Sequence, residues 1–295
     1  MPWNARLSLD YRLQDARTLL RFSHDGPLRV LKSLYPEGDG ICHSVLVHPP
    51  GGLVEGDTLE VDVQVQPGAH ALISTPGATR FYRSASAPAT QRVSLNLQAG
   101  ARLEWLPLET IAYPGCHALN HTTLQLAPDA ELLAWDVTAL GLPATGLAFD
   151  GSQQHGAAAQ GQPAPDQPPP GLLHQRIHWP GHWLEEGHLQ ASDQRLLNSP
   201  LGLAGHRCMG TLLLACGTAM SVQRRDHLLD ALRTVLAGHT LARTTGITCP
   251  NPHVLVVRTL CPLVEPAMDL FKHLWVTLRS QAWQLPSTAP RIWSV

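Results

Sequence analysis

A degenerate repeat is the feature of this sequence that most restricts its fold. Three segments follow one pattern: V-Q-V-Q-P-G-A-H-A-L-I (63–73), L-N-L-Q-A-G-A-R-L-E-W (95–105) and L-Q-L-A-P-D-A-E-L-L-A (124–134). Each contains an alternating strand, a short turn ending in Gly or Asp, an alanine and a second strand. The copies begin 32 and then 29 residues apart. Such a period is typical of stacked units that bury one another's faces.

The alternation within the first copy predicts which side chains face the core. Val61, Val63 and Val65 lie on one side of the strand, and polar residues between them lie on the other. We therefore predict a mainly β fold, with a β-helix (solenoid) or an elongated β-sandwich over residues 1–220. The three copies do not decide between these two architectures. We expect residues 1–295 to form a single domain.

Two segments near the C-terminus have the periodicity of helices. The first spans 226–237, with Asp226 as its cap and Gly238 after its end. The second spans 266–284 and is apolar nearly all round, so it must be buried by this chain or by a partner. We assign four of its side chains to a partner-binding surface: Met268, Phe271, Trp275 and Leu278.

The segment 151–171 interrupts the strand pattern. It contains five prolines and no large apolar side chain. Because such a composition cannot contribute to a packed core, we predict a flexible insertion at the surface.

Charge and composition exclude several classes of protein. The net charge is −2, and only two of the 21 basic residues are lysines, with no basic run. Nucleic acids and anionic membranes are therefore not expected partners. The apolar stretches are too short to span a bilayer, and the N-terminus lacks the apolar core of a signal peptide. The six cysteines form no C-x-x-C pair, as expected for reduced thiols in a cytoplasmic protein.

Sixteen histidines are unusual, and two local sets could bind a metal. These sets are Cys116, His117 and His121, and then His174, His178 and His182. Neither has a fourth ligand nearby in the sequence, so structural zinc is not expected. Weaker contacts between scattered histidines and a soft or borderline metal ion remain open.

A rigid Gly/Pro segment, H-P-P-G-G-L-V-E-G-D (48–57), leads directly into the first repeat strand. Two interpretations are open. The segment is a tight turn that ends in a solvated aspartate, or Asp57 and Glu60 belong to an acidic site. The motifs of P-loop, dinucleotide-binding, serine-hydrolase and zinc-protease sites do not occur.

Five ordered motifs resemble those of the urease accessory protein D family, called H in some species. They are Y-P-E-G-D-G-I-C-H (35–43), H-P-P-G-G-L-V-E-G-D (48–57), T-P-G-A-T-R-F-Y-R-S (75–84), W-L-P-L-E-T-I-A-Y-P-G (105–115) and P-R-I-W (290–293). The resemblance implies a β-helical body with a pair of helices, and a metallochaperone scaffold that is not an enzyme. It implies binding to an F-type accessory protein, which recruits a G-type GTPase, and nickel transfer through an internal tunnel to the urease apoprotein.

The resemblance also implies a set of metal-binding acids along the tunnel. They fall on Asp57, Glu60, Asp136 and Glu186. Spaced carboxylates suit a transient nickel ion better than thiolates, which bind late first-row metals strongly. No tightly bound cofactor is expected. Glu55 stands where the family usually has glycine, which adds a carboxylate near the first pair.

Two alternatives come from other classes of protein. The first is a β-helical carbohydrate-active enzyme that uses Asp57 and Glu60 as acid and base. Aromatic residues, which form sugar-binding platforms, make up only 5% of this chain. The second is a metal-independent adaptor whose apolar helix docks a partner.

Overall fold

The computed structural model describes residues 2–152 and 170–294, and most of the predicted insertion (151–171) lies outside them. The helices are α1 (Gln194–Asn198), α2 (Val222–Ala237) and α3 (Val264–Trp283), with short 3₁₀ turns at Pro143–Thr145, Ala242–Thr244 and Arg291–Ser294. The strands are β1 (Asn4–Gln14), β2 (Arg17–Asp25), β3 (Arg29–Leu34), β4 (Ile41–Val47), β5 (Thr58–Val65), β6 (His70–Ser74), β7 (Thr79–Phe81), β8 (Ala89–Leu97), β9 (Arg102–Trp105), β10 (Thr110–Ala112), β11 (His117–Leu126), β12 (Glu131–Leu140), β13 (Leu172–Trp179), β14 (Trp183–Gln190), β15 (Cys208–Cys216), β16 (Thr245–Asn251) and β17 (Val254–Cys261).

The strands form two sheets. The first has the order β14-β13-β11-β8-β5-β1-β2. The second has the order β16-β17-β15-β12-β9-β6-β4-β3, and β10 joins it by pairing with β12 and β7. The chain passes from the first sheet to the second along β5–β6, β8–β9 and β11–β12, and equivalent strands pair in parallel. The predicted mainly β solenoid with C-terminal helices is therefore confirmed, as coils flattened into two facing sheets.

The repeated turn explains the repeated sequence. Its last residue has a positive φ in each copy, with Gly68 at 70°, Gly100 at 66° and Asp129 at 60°. Glycine adopts this conformation without strain, and aspartate tolerates it better than most residues. The next residue is a fully buried alanine in each copy: Ala69, Ala101 and Ala130.

Two apolar cores lie on the two faces of the second sheet. The first core fills the space between the sheets and includes Val61, Val63 and Val65, as the alternation predicts. The second core lies between the second sheet and helices α2 and α3, and it receives Trp135 of β12. The second sheet is therefore buried on both faces over much of its width.

The helices differ from the prediction at their starts and in what covers them. Helix α2 begins at Val222, and the side chain of Ser221, rather than Asp226, caps it by accepting the Arg224 N–H. Helix α3 buries four apolar side chains in the second core of this chain: Met268, Phe271, Trp275 and Leu278. The prediction assigned these four side chains to a partner-binding surface, but the chain's own sheet and helix α2 cover them.

A buried ionic cluster fastens α3 to the second sheet. Arg279 donates to both carboxylate oxygens of Glu37, at 2.9 and 2.6 Å. Glu104 of β9 accepts from Trp275 Nε1 at 2.5 Å and lies 2.9 Å from His70 Nε2. Because Arg279 also lies 3.7 Å from Glu104, the two buried carboxylates share one guanidinium. No helix in the described residues has the length and apolarity that a membrane crossing requires.

Candidate functional site

Three amide side chains interrupt the apolar inner face of the first sheet. Gln91 of β8, Asn120 of β11 and Gln175 of β13 are direct register neighbours on adjacent strands. Gln91 Nε2 donates to Asn120 Oδ1 at 3.1 Å. A row of amides inside a core requires polar partners, since an unpaired buried amide is costly.

The facing partner of this row is Asp136, on the inner face of β12. Gln175 Nε2 donates to its Oδ1 at 2.6 Å, and Asn120 Nδ2 donates to its Oδ2 at 3.2 Å. Thr138 Oγ1 donates a third hydrogen bond at 2.8 Å. Asp136 is in register with Thr211 of β15, which is in register with Arg258 of β17. Two polar rows therefore face each other between the sheets.

The environment of Asp136 makes its negative charge costly. Burial raises the pKa of this carboxyl group, and the hydrogen bonds from Thr138 and Gln175 only partly oppose the shift. The negative charge of Glu185 raises the pKa further. A carboxylate in this state gains a large stabilisation when a cation arrives, because desolvation leaves its charge poorly screened.

Glu185, rather than Glu186, belongs to this interior cluster. Strand alternation places the two on opposite faces of β14. Glu185 accepts from Thr211 Oγ1 at 2.8 Å and from Arg258 Nη2 at 2.9 Å. The side chain of Glu186 instead lies on the outer face, 2.7 Å from His174 Nε2.

Three cavities follow one another between the sheets. One of about 360 Å³ lies beside His48 and the Gly/Pro segment, and one of about 660 Å³ lies beside Asp136 and Glu185. A small cavity of about 20 Å³ separates them, and it shares Trp105 with the first and Asp136 with the second. Because a water molecule needs roughly 10–15 Å³, this middle cavity admits about one water.

Two buried polar atoms on these walls have no protein partner. They are Gln175 Oε1 and His48 Nε2, both of which can accept a hydrogen bond or bind a cation. Burial lowers the pKa of His48, and the nearby charge of Asp57 opposes that shift only in part. A neutral imidazole with a free ring nitrogen is the form that binds metal ions.

The structure does not bring Asp57 and Glu60 together. Asp57 is buried at the end of the Gly/Pro turn, where its oxygens accept the Trp3 N–H at 2.7 Å and the Val54 N–H at 2.9 Å. Glu60 lies on the outer face of β5 and pairs with Arg6. Their different partners and faces do not form the paired acid and base on which the carbohydrate-enzyme alternative depends.

Sequence reasoning identified Asp136 but missed the polar residues around it. A signal was present in the strand pattern. Gln91 is separated from Val93, Leu95 and Leu97 by even numbers of residues, so an alternating strand places its amide on the same buried face. Asn120, 29 residues later, occupies the equivalent position of the next coil. Polar side chains on the core-facing side of equivalent strands in successive repeats indicate a polar site inside the protein.

Fold and site together define a class: a flattened β-solenoid scaffold with an acid-containing cleft between its sheets. The family described as UreD urease accessory protein matches residues 4–294. The urease accessory protein UreD of Albidiferax ferrireducens is 56% identical over 295 residues, covering 100% of both chains. Those of Polaromonas sp. and Paracidovorax citrulli are each 52% identical, also with 100% coverage of both chains.

This chain therefore belongs to the UreD urease accessory protein family. Membership gives it a role in urease maturation, as an accessory factor. The resemblance of the five motifs to the urease accessory protein D family is confirmed.

Proposed function

We propose that this chain is a nickel metallochaperone scaffold that passes nickel to the urease apoprotein through the space between its two sheets. It acts with an F-type accessory protein and, through that protein, with a G-type GTPase in the cytoplasm. Nickel is the cargo and is held only in transit. The observation that supports this proposal most directly is Asp136, a half-buried carboxyl group among amides where two cavities meet.

The chemistry of the walls suits an ion that must keep moving. The carboxylates of Asp136 and Glu185, amide oxygens and hydroxyl groups replace part of a hydration shell without the strong bonds that thiolates form to nickel. Burial raises the pKa of Asp136, so its negative charge is poorly stabilised when the cleft is empty. An arriving cation stabilises that charge, and the stabilisation is lost when the cation leaves.

The narrow middle cavity sets the conditions for passage. It has room for about one water, so an ion crosses it only after losing most of its hydration shell. Asp136, Gln175 Oε1 and Thr211 offer replacement oxygens on the far side. Trp105 borders the middle cavity and the cavity beside His48, so rotation of its side chain would widen the route between them.

We therefore revise the set of residues proposed to contact nickel along the route. Asp136 is retained, and Glu185 replaces Glu186 because the Glu185 side chain faces the interior. Nickel contacts by Asp57 and Glu60 stay predictions, and neither carboxylate lies on the walls of these cavities. Binding of the F-type protein also stays a proposal, to be carried by surfaces other than the four buried side chains of α3.

The test measures nickel delivered to urease that is matured with the F- and G-type proteins present. Asp136→Asn and Glu185→Gln keep side-chain size and remove charge, whereas Glu60→Gln does the same on the outer face. We expect normal assembly of all three complexes, with lower nickel content and urease activity for the two interior variants only. Delivery at the unmodified rate by the Asp136→Asn, Glu185→Gln double variant would overturn the route and favour the metal-independent adaptor.

A further inference from the structure

A second cluster of metal-ligating side chains lies on the outer face of the first sheet. His174 of β13 and His188 of β14 are directly opposite each other in an antiparallel pair. Glu186 precedes His188 by two residues and therefore lies on the same face. The three side chains lie on the face opposite to Glu185, although Glu186 also borders the larger of the two main cavities.

The three side chains are already close enough to share one ion. His174 Nε2 lies 2.7 Å from Glu186 Oε1, and the rings of His174 and His188 stack with centroids 3.9 Å apart. One ligand atom from each residue can be chosen so that all three lie within 4.8 Å of one another. Ligands bound at about 2.0–2.2 Å to one ion lie roughly 3–4 Å apart, so small side-chain rotations complete the site.

His121 of β11 supplies the support that a ligating histidine usually has. Its Nε2 lies 3.1 Å from His174 Nδ1, the ring nitrogen that does not face Glu186. In the ion-bound form, His174 Nδ1–H donates to His121, and an ion replaces the proton that His174 Nε2 shares with Glu186. A hydrogen bond of this kind fixes the tautomer and the ring orientation of a metal ligand.

The charge at the site is suited to an exchangeable ion. The cluster offers a carboxylate and two imidazoles, and Arg176 lies opposite Glu186 in the pairing of β13 with β14. The guanidinium of Arg176 weakens the attraction for a cation. Three protein ligands leave coordination positions open to water. Two imidazoles and one carboxylate favour late first-row divalent ions over calcium or magnesium.

We propose that His174, Glu186 and His188, oriented by His121, form an exchangeable surface site for a divalent ion such as Ni²⁺ or Zn²⁺. The sequence places these residues in two separate segments, and only the pairing of β11, β13 and β14 brings them together. The site requires no partner protein and does not depend on the route between the sheets.

The test uses the full chain without an affinity tag, dialysed separately against Ni²⁺ and Zn²⁺. For His174→Ala, His188→Ala we expect the loss of about one bound ion per chain, because a mononuclear site holds one ion. His178→Ala, on the same face of β13 but outside the cluster, should bind the full number. Cobalt(II) absorption reports on imidazole ligation directly, and circular dichroism checks that each variant is folded.

Two outcomes would overturn this proposal. One is a double variant that binds as many ions as the parent with the same Kd. The other is a cobalt(II) spectrum that Glu186→Gln and His174→Ala, His188→Ala leave unchanged. Asp136→Asn distinguishes the two proposals, because it should lower nickel delivery to urease while leaving this surface site occupied.

Discussion

At the scale of single residues, the carboxylates of this chain show how local environment decides the role of one chemical group. Asp136 accepts three hydrogen bonds inside the protein, yet burial still raises its pKa. Asp57 is also buried, but its oxygens satisfy two backbone N–H groups of a turn. Glu60 lies outside with Arg6. The first group is suited to meet a cation, the second holds a turn, and the third is a surface charge.

Replacing Asp136 with asparagine should remove charge with little loss of stability. The Asn120 and Gln91 amides can flip to keep the row hydrogen-bonded, so we expect the free energy of unfolding at pH 7 to change by less than about 1 kcal/mol. The folded pKa of Asp136 is raised, so its ionised form opposes folding, and this penalty disappears as the pH falls through the folded pKa. Stability relative to Asp136→Asn should therefore increase on acidification, as urea unfolding at several pH values can measure.

Replacing Asp57 with alanine should instead destabilise the fold. The Trp3 and Val54 N–H groups would lose their acceptor, which costs about 1–3 kcal/mol when such groups are buried. Glu60→Gln is the control and should leave the midpoint of urea unfolding almost unchanged. Equal midpoints for Asp57→Ala and the parent protein would show that the carboxylate does not hold this turn.

At the scale of secondary-structure elements, α3 is an apolar helix that the chain buries for itself. Its inward side meets the outer face of β12 and its neighbours, and the exposed side carries Asp269, His273 and Val276. Arg279 completes the attachment by entering the protein to pair with Glu37 and Glu104. The element therefore combines a packed stripe with one buried cation, and the two contributions can be separated by substitution.

Phe271 and Val276 test the packed and exposed sides of α3. Phe271→Ala should lower the free energy of unfolding by about 3–5 kcal/mol, since a buried aromatic side chain leaves a cavity. Val276→Lys, on the exposed side of the same helix, should leave stability within about 0.5 kcal/mol of the parent. Thermal unfolding of both variants provides the measurement. Similar losses for the two would contradict the observed orientation of the helix.

Arg279→Met tests the buried ionic cluster. Removing the guanidinium leaves Glu37 and Glu104 buried without their cation, and breaking such a pair costs about 3–5 kcal/mol. Burial acts to raise the pKa of Glu37, but hydrogen bonds from His43 and Arg279 outweigh it and lower the pKa. This stabilisation is therefore present above the unfolded pKa of Glu37 and is lost as the pH falls through the folded value. In Arg279→Met, unfolding free energies should decline less on acidification between neutral and acid pH.

At the scale of the whole molecule, the second sheet belongs to both cores. Alternate side chains of β12 enter the space between the sheets, where Leu132 packs, or the helical layer, where Leu133 packs. Neither core can lose its packing without exposing one face of this sheet to water. The cavities that we assign to nickel transfer lie on the side of the sheet opposite to the helices, within the first core.

This shared sheet predicts that the chain unfolds as one cooperative unit, the single domain expected over residues 1–295. Calorimetry should give one transition with equal calorimetric and van't Hoff enthalpies. The helical signal in circular dichroism should disappear together with the near-ultraviolet signal of the buried tryptophans. Loss of the helices in a separate, earlier transition would contradict this prediction and indicate that α2 and α3 form an independent layer.

The sequence by itself determined the elements and their faces. The period-two pattern predicted the core side of β5, and the repeat of about 30 residues predicted stacked coils with equivalent turns. The sequence did not predict the strand register, the helix caps or the side on which α3 is buried. Asp136 could be selected by resemblance, whereas Glu185 and Glu186 could not be distinguished until β14 was placed against β13.

Only the tertiary structure decided which polar groups meet. Turn conformation and strand alternation depend on neighbouring residues, so they can be read from a short segment. Contacts such as Gln175 with Asp136, 39 residues apart, depend on parallel register and on the distance between the sheets. The same holds for His121 and His174, which the sequence placed in two unrelated sets 53 residues apart. Local chemistry therefore fixed the coils, and long-range stacking assembled the acid-containing cleft and the histidine cluster on its outer side.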